Sequence, residues 1–387
     1  MRRVCLIYDC LYPYTVGGAE RWYRNLAERL AAAGHEVTYL TLRQWDRGEQ
    51  PELAGSVRVV AVGPRMDLYT PDGRRRVLPP LVFGLGVLAH LLRNGRAYDV
   101  VHTCSFPYFS LLAAGLARRL GRYGLIVDWF EVWSARYWRD YLGRTAGTIG
   151  HAVQRLCARV PQEAFCFSQL HARRLRAEGL RGEPIVLEGG YAGSLGAPVV
   201  HDVEPLVVFA GRLIPEKRAP LAVAAFALAA ARVEGLKGEL YGDGPERRAV
   251  LEAIAEHGLA ESLSAPGFVD ASRIDDAMSR AMCMLSTSRR EGYGMVVVEA
   301  SAHATPSVVV AGEDNASVEL LDDAVNGIVA TADDPQTIAD AIVRVHEAGV
   351  ALRQSTADWF VQNAERLSLE SSLRRVLASY ALANARA

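Results

Sequence analysis

Leu206-Val207-Val208-Phe209-Ala210-Gly211-Arg212-Leu213-Ile214-Pro215-Glu216-Lys217 runs five apolar residues into a glycine, then sets two cations around a proline. The apolar run has strand length, and the glycine and proline end it. Downstream, Gly238–Tyr241, Met282–Ser286, Ser307–Val310 and Gly327–Val329 are further strand-length runs with helix-like stretches between them. Upstream, Glu188 to Pro205 carries four glycines, two prolines and little periodicity, the composition of an inter-domain linker. Before that linker lies a second set of apolar runs: Val4–Tyr8, Glu36–Thr41, Val57–Val62, Asp99–Cys104, Leu125–Phe130 and Phe165–Ser168. Between the first two of these, Ala19–Ala33 repeats Trp22, Leu26, Leu30 and Ala33 at helical spacing, with Gly34 as the stop.

Strands alternating with helices predict parallel sheets covered by helices on both faces. The expected fold class is therefore α/β, with two doubly wound, Rossmann-like domains at residues 1–190 and 206–365, a linker at 191–205, and a last helix at about 366–387 returning to the first domain. A chain of 387 residues exceeds what one core usually supports, which agrees with two domains. Two such domains facing each other would hold a cleft between the C-terminal ends of their strands, where this architecture binds ligands.

Composition narrows the classes. The six cysteines are scattered with no C-x-x-C pair, which speaks for a reduced setting and against a disulfide framework or a zinc site. Only five apolar residues separate Arg2-Arg3 from Asp9, too few for a signal peptide's apolar core. The longest apolar stretch, Val77 to Leu92, contains Pro79, Pro80, two glycines and His90, and falls short of the roughly 20 residues of a membrane span. A cytoplasmic protein is expected. The net charge of −1 hides an asymmetry, +9 in residues 1–200 and −10 in residues 201–387. A basic first half points to an anionic partner: an acidic acceptor, a lipid phosphate, or the inner face of a membrane. No nucleic-acid-binding motif is present.

Three short segments carry the chemistry. Gly17-Gly18 opens a helix after the first strand, and free backbone N–H groups there can meet an anion. Arg212 and Lys217 follow a strand at a turn; arginine holds phosphate oxygens bidentately and lysine adds a compact charge. Glu291-Gly292-Tyr293-Gly294-Met295-Val296-Val297-Val298-Glu299 sets two carboxylates around a glycine turn that opens a helix. Carboxylates grip hydroxyls, and the helix start favours a phosphate. Diphosphate-binding cations together with sugar-binding carboxylates point to a nucleotide-sugar. Gly84-Leu85-Gly86-Val87-Leu88-Ala89 fits a dinucleotide fingerprint, but it follows Pro79-Pro80 and lacks the acidic residue about 20 positions on, so it reads as part of an apolar helix.

Taken in order, the early Gly-Gly turn, A-G-R-L-I-P-E-K, L-Y-G-D-G-P-E, A-P-G-F-V and E-G-Y-G-M-V-V-V-E resemble the family-four retaining glycosyltransferases of GT-B fold. The resemblance implies that Arg212 and Lys217 neutralise the donor diphosphate, that Glu291 holds the donor sugar, and that Glu299 holds the ribose. It implies that Gly242 and Asp243, with Phe268 and Val269, flank the base. Gly292, Tyr293, Gly294 and Met295 then approach the diphosphate from the helix start, and Gly17 and Gly18 come over it. Many members carry H-x-H where this chain reads His102-Thr103-Cys104, and a histidine where it reads Phe130. His102 is left as the imidazole candidate, with Asp128 and Glu131 as further acceptor contacts.

The resulting expectation is a retaining transferase that moves a sugar from a nucleotide-diphosphate-sugar to an acceptor hydroxyl on a saccharide, a lipid-linked sugar or a small natural product. No D-x-D occurs anywhere, so a metal-independent reaction is expected, with no cofactor beyond the donor itself. Two other readings stand beside it. A GT-B nucleotide-sugar epimerase would process donor without acceptor. A catalytically silent nucleotide-sugar-binding subunit is motivated by the missing histidine.

Overall fold

The computed structural model describes residues 1–46, 48–49, 51, 53–70 and 75–382. Two compact units emerge. The first holds Met1–Thr70, the stretch that ends at Glu188, and the chain from Glu370 onward; the second holds Gly189–Leu369. The boundary falls at Glu188/Gly189, because residues of the expected linker are already tied to the second unit: Gly190 and Tyr191 both donate backbone bonds to Leu367 O at 3.0 Å.

In the first unit, β1 (Arg3–Ile7), α1 (Gly18–Ala32), β2 (Glu36–Leu42), β3 (Val57–Gly63), α2 (Leu78–Asn94), β4 (Val100–Cys104), α3 (Tyr108–Gly121), β5 (Gly124–Trp129), α4 (Ala135–Leu142), α5 (Arg144–Ala158), β6 (Glu163–Cys166), α6 (Gln169–Ala177) and β7 (Ile185–Val186) follow one another. Their seven strands form one parallel sheet, ordered β3-β2-β1-β4-β5-β6-β7. Strands buried on both faces read as continuous apolar runs, which is why Val4, Cys5, Leu6 and Ile7 are all fully buried. On α1, Trp22, Tyr23, Leu26, Ala27 and Leu30 make the buried stripe. Gly34, at φ +81°, ends it, with His35 N bonding back to Leu30 O.

The Gly84/Gly86 segment lies inside α2, and its glycines serve packing. A Cβ on Gly86 would come within 1.9 Å of Val62 O of β3, and one on Gly84 within 2.5 Å of Phe109 Cβ of α3.

The second unit contains β8 (Leu206–Ala210), α7 (Ala219–Ala230), β9 (Lys237–Tyr241), α8 (Arg247–Glu256), β10 (Leu263–Gly267), α9 (Ala271–Arg280), β11 (Cys283–Ser286), β12 (Arg290–Glu291), α10 (Met295–Ser301), β13 (Ser307–Val310), β14 (Asp314–Asn315), β15 (Gly327–Ala330) and α11 (Pro335–Leu367). The main sheet is parallel, ordered β10-β9-β8-β11-β13-β15, and β12 pairs with β14 beside it. α11 is broken at Gly349, whose φ is +54°.

The last helix, α12 (Leu369–Leu382), is secured to the first unit from Glu370 on. Glu370 pairs with Arg29, Arg375 Nη1 donates to Val186 O at 2.7 Å, and Leu373, Val376 and Tyr380 are buried. Among the described residues no helix is long and apolar enough to cross a membrane.

Candidate functional site

Strand order decides where a ligand fits. In an open doubly wound sheet the binding crevice lies at the C-terminal ends of the two strands whose connections leave in opposite directions. In the second unit those strands are β8 and β11, neighbours in the sheet. Arg212 and Lys217 leave the end of β8, and Glu291 leaves the end of β11. Cations and carboxylate, far apart in sequence, are thus delivered to one switch point.

The two loops are laced together. Lys217 Nζ forms an ion pair with Glu291, and the neighbouring Arg290 lies 3.9 Å from Glu216 in a second, crossed pair. Ser288 Oγ donates to Glu291 Oε1 at 2.8 Å. Thr287 Oγ1 donates to the carbonyls of Lys217 and Arg218 at 2.8 and 3.1 Å, while Arg218 Nε returns a bond to Thr287 O at 2.8 Å. Arg289 N donates to Glu216 O at 2.8 Å. From the other side, Asn315 Nδ2 holds Ser288 O at 3.1 Å and Val310 O at 2.8 Å. Lys217 and Glu291 are therefore fixed in place, with side chains 18% and 15% exposed. Arg212 stands exposed beside them.

The glycine turn between the carboxylates is sterically required at Gly294. Its φ is +106°, and a Cβ there would lie 2.3 Å from Ser317 Cβ. The turn caps the start of α10, with Gly292 and Tyr293 half-buried. Met295 reaches back to Gly190, where an added Cβ would meet Met295 Cε at 2.5 Å. Glu299 is half-buried further along α10. It helps raise the Tyr191 phenol's pKa, after burial and the Asp275 charge.

The flanking loops come from β9 and β10. Gly242, at φ +136°, passes so close to β8 that a Cβ would sit 1.8 Å from Gly211 O. Leu213 N donates to Asp243 O at 2.9 Å and Asp243 Oδ1 caps Gly244 N at 2.7 Å, leaving the Asp243 side chain exposed. Phe268 is 78% exposed at the end of β10, an aromatic face turned to solvent, while Val269 packs against the cluster of Leu206, Val208, Tyr241, Ala277 and Ala281. Nearby, burial and the Glu216 charge raise the pKa of Glu246.

The first unit's switch point, at β1 and β4, is built differently. His102 is fully buried in β4. Its Nδ1 lies 2.6 Å from the Tyr380 hydroxyl, and its Nε2 faces Asp128 Oδ1 at 2.9 Å, off the hydrogen-bond axis. Trp22 Nε1 donates to Asp128 Oδ2 at 2.8 Å. His102, expected as the imidazole at the chemistry, and Asp128, expected as an acceptor contact, both lie buried in the first unit, where His102 ties β4 to Tyr380 of α12 and Asp128 ties β5 to Trp22 of α1. Cys104 is also buried, with its Sγ on Phe106 O and its pKa raised by burial. Phe130 stacks on Phe167 at 4.6 Å between ring centres. Glu131 accepts from Trp133 Nε1 at 2.6 Å.

Gly17 caps α1 in an extended conformation, and Gly18 has open space around it. The buried Glu20 carboxylate folds against Gly17, where a Cβ would lie 2.4 Å from Glu20 Oε2. An acidic group thus already stands near this helix start. Two groups of the same unit escaped the sequence reading: the buried Asp9, just after β1, forms an ion pair with the half-buried Arg75.

Ser288, Thr287 and Asn315 also escaped it. For Thr287 and Ser288 the one signal is the Ser286-Thr287-Ser288 run at the end of a strand, and Asn315 has none. Among the described residues no group of three His, Cys, Asp or Glu converges on a point that could hold a metal.

Residues 17–188 match the model described as "Glycosyl transferase 4-like domain", and residues 204–348 the model described as "Glycosyl transferases group 1". A curated relative, alpha-D-kanosaminyltransferase of Streptomyces kanamyceticus, is 28% identical over 144 residues, 37% of each chain. The aligned stretches span between 19% and 37% of the length of the curated relatives. Among solved structures, sucrose-phosphate synthase from Thermosynechococcus elongatus matches with a TM-score of 0.80 and 18% identity, covering 100% of both chains. Anabaena HepE, solved in complex with UDP and glucose, matches with a TM-score of 0.69 and 16% identity, over 98% of this chain and 100% of that one.

Proposed function

The chain belongs to the family-four glycosyltransferases of GT-B fold, and on that premise we propose that it moves a sugar from a nucleotide-diphosphate donor to an acceptor hydroxyl with retention of configuration. One observation carries the reading. The switch point of the second unit presents Arg212, Lys217 and Glu291 on two loops held together by crossed ion pairs, beside the start of α10.

Departure of the nucleoside diphosphate builds negative charge on the phosphate. The Arg212 guanidinium, the Lys217 ammonium and the amides of the glycine turn meet that charge without reorganising, the arrangement that lowers such barriers most. Glu291 engages one N–H of Lys217, which holds the ammonium in place, and its carboxylate accepts from the donor sugar's hydroxyls. Glu299 accepts from the ribose, Phe268 offers a stacking face to the base, and Gly242 and Asp243 close the same end. With cations and amides sufficient for the leaving group, the reaction runs without a metal. The acceptor is a saccharide, a lipid-linked sugar or a small natural product bearing a free hydroxyl.

The test is turnover of a panel of nucleotide-sugars in EDTA, with a panel of hydroxyl acceptors, the product anomer read by NMR coupling constants. One donor should be consumed in an acceptor-dependent way and the anomer kept. An inverted product would refute retention, and restoration of activity only by magnesium or manganese would refute metal independence. Conversion of donor alone into an isomeric nucleotide-sugar would establish an epimerase instead. Binding without any turnover would establish a silent binding subunit.

A further inference from the structure

One helical layer of the first unit has an outer surface that its fold does not explain. Connections from β3 to β4, β4 to β5 and β5 to β6 all run the same way across the sheet, so right-handed crossovers place α2, α3 and α5 on one face. α2 packs on α3, and α3 on α5, in one continuous layer.

Each of these helices is apolar on both sides. α2 buries Phe83, Val87 and Leu91 inward, yet it also turns Leu78, Leu81, Leu85 and Leu92 outward along one stripe. Leu116 and Leu120 of α3 are exposed one turn apart, and Ile149 and Leu156 of α5 two turns apart. The exposures are large: 68% for Leu85, 62% for Leu116 and 56% for Leu156. Single exposed leucines are ordinary, but exposed apolar pairs and stripes on three helices that pack side by side are what a binding face presents.

Charge identifies the partner. Residues 78–98, 108–123 and 144–162, which hold the three helices and their ends, contain eight arginines and no Asp or Glu. Four of the eight have partners within the protein: Arg93 donates to Ala89 O and Arg96 to Leu120 O, both at 3.3 Å, Arg118 donates to the carbonyls of Tyr123 and Pro161, and Arg155 lies 3.4 Å from Glu178 of the neighbouring segment. Arg93, Arg119, Arg122 and Arg159 are all exposed. A second copy bound through this face by a two-fold axis would set arginines against arginines. Leucines flanked by arginines instead match an interface that is apolar inside and anionic at its surface.

We propose that the α2–α3–α5 layer docks on an anionic lipid bilayer, with the leucine stripes entering the headgroup boundary and the arginines meeting lipid phosphates. This deepens the charge asymmetry seen in sequence by assigning it to one surface, and it stands independently of the donor site.

The test is co-sedimentation of the full chain with vesicles of phosphatidylcholine alone or mixed with phosphatidylglycerol, at low and high salt. The full chain should bind the phosphatidylglycerol vesicles and bind phosphatidylcholine at least tenfold less, with salt weakening the binding. A triple variant, L85Q/L116Q/L156Q, should lose at least tenfold in binding while keeping its melting transition, because all three side chains are exposed. Charge reversal at Arg93→Glu and Arg119→Glu should do the same through a different contact, so the proposal survives if the leucine variant fails to fold. No binding to phosphatidylglycerol vesicles, or binding unchanged in both variants, overturns the proposal. So does sedimentation velocity showing a dimer that the triple variant dissociates, which would give the face to a second copy.

Discussion

The two units share one plan and use its sensitive end in opposite ways. Each has a parallel sheet with a switch point, β1/β4 in the first and β8/β11 in the second. At the first, the polar groups are sealed: Asp9, His102 and Asp128 are fully buried, and their partners are Arg75, Tyr380 and Trp22 of the same unit. At the second, Arg212, Asp243 and Phe268 stand exposed, and the Lys217–Glu291 pair is partly so. A doubly wound sheet creates the opportunity for a site, and burial decides whether it is spent on stability or kept for a ligand. Buried polar groups matched to each other hold the fold; the same groups left at the surface on fixed loops hold a substrate.

Substitutions at the two switch points should therefore fail in different assays. Lys217→Ala should lower turnover about 10²–10³-fold, the loss seen when one preorganised donor to a developing anion is removed. Its melting transition should move little by comparison, as read by differential scanning calorimetry. His102→Ala should do the reverse. It strips the Tyr380 hydroxyl of a buried partner, at a cost on the order of 1–3 kcal/mol or more, seen as a lowered denaturation midpoint. Turnover per folded molecule should stay within a few-fold of the parent. If His102→Ala removed activity from an intact fold, the contrast between the two ends would be wrong.

Glu299→Gln sharpens the second site from within. It should weaken binding of the free nucleoside diphosphate by roughly 1.5–3 kcal/mol, the worth of a charge-assisted hydrogen bond. Glu291→Gln should leave that binding nearly unchanged and impair transfer from the full donor. Equal losses of free-nucleotide affinity in the two variants would reject the division of the donor between them. The smallest effect belongs to Tyr380→Phe, which deletes the 2.6 Å contact with His102 Nδ1 but keeps the ring. About 1 kcal/mol of stability and no change in donor binding are expected, checked by urea denaturation and calorimetry.

Much of this was legible beforehand, for physical reasons that also explain the gaps. Parallel strands read as mostly apolar runs of strand length, so eleven of them stood out, along with the α1 repeat and the Gly34 stop. β10 was missed because Ser264 and Pro266 interrupt it; it is an edge strand, where proline is tolerated. β7 has only two residues and left no pattern to read. The chemistry of the second site could be read because each group sits in a short motif after a strand. The crossed pairs of Glu216 with Arg290 and Lys217 with Glu291 could not, since they exist only once β8 and β11 are neighbours. The burial of His102 was not legible for the same reason. Its partner Tyr380 lies 278 residues away, and no local spacing announces that a helix from the far end of the chain will cover it.

The central claim is that the second unit alone carries the diphosphate-binding charges. Calorimetric titration of the full chain in EDTA with a panel of nucleoside diphosphates tests it most directly, comparing the parent with Arg212→Ala, Lys217→Ala and His102→Ala. One nucleoside diphosphate should bind the parent, bind each cation variant at least tenfold more weakly, and bind folded His102→Ala with parental affinity. Parental affinity in both cation variants, or its loss in folded His102→Ala alone, would contradict the claim.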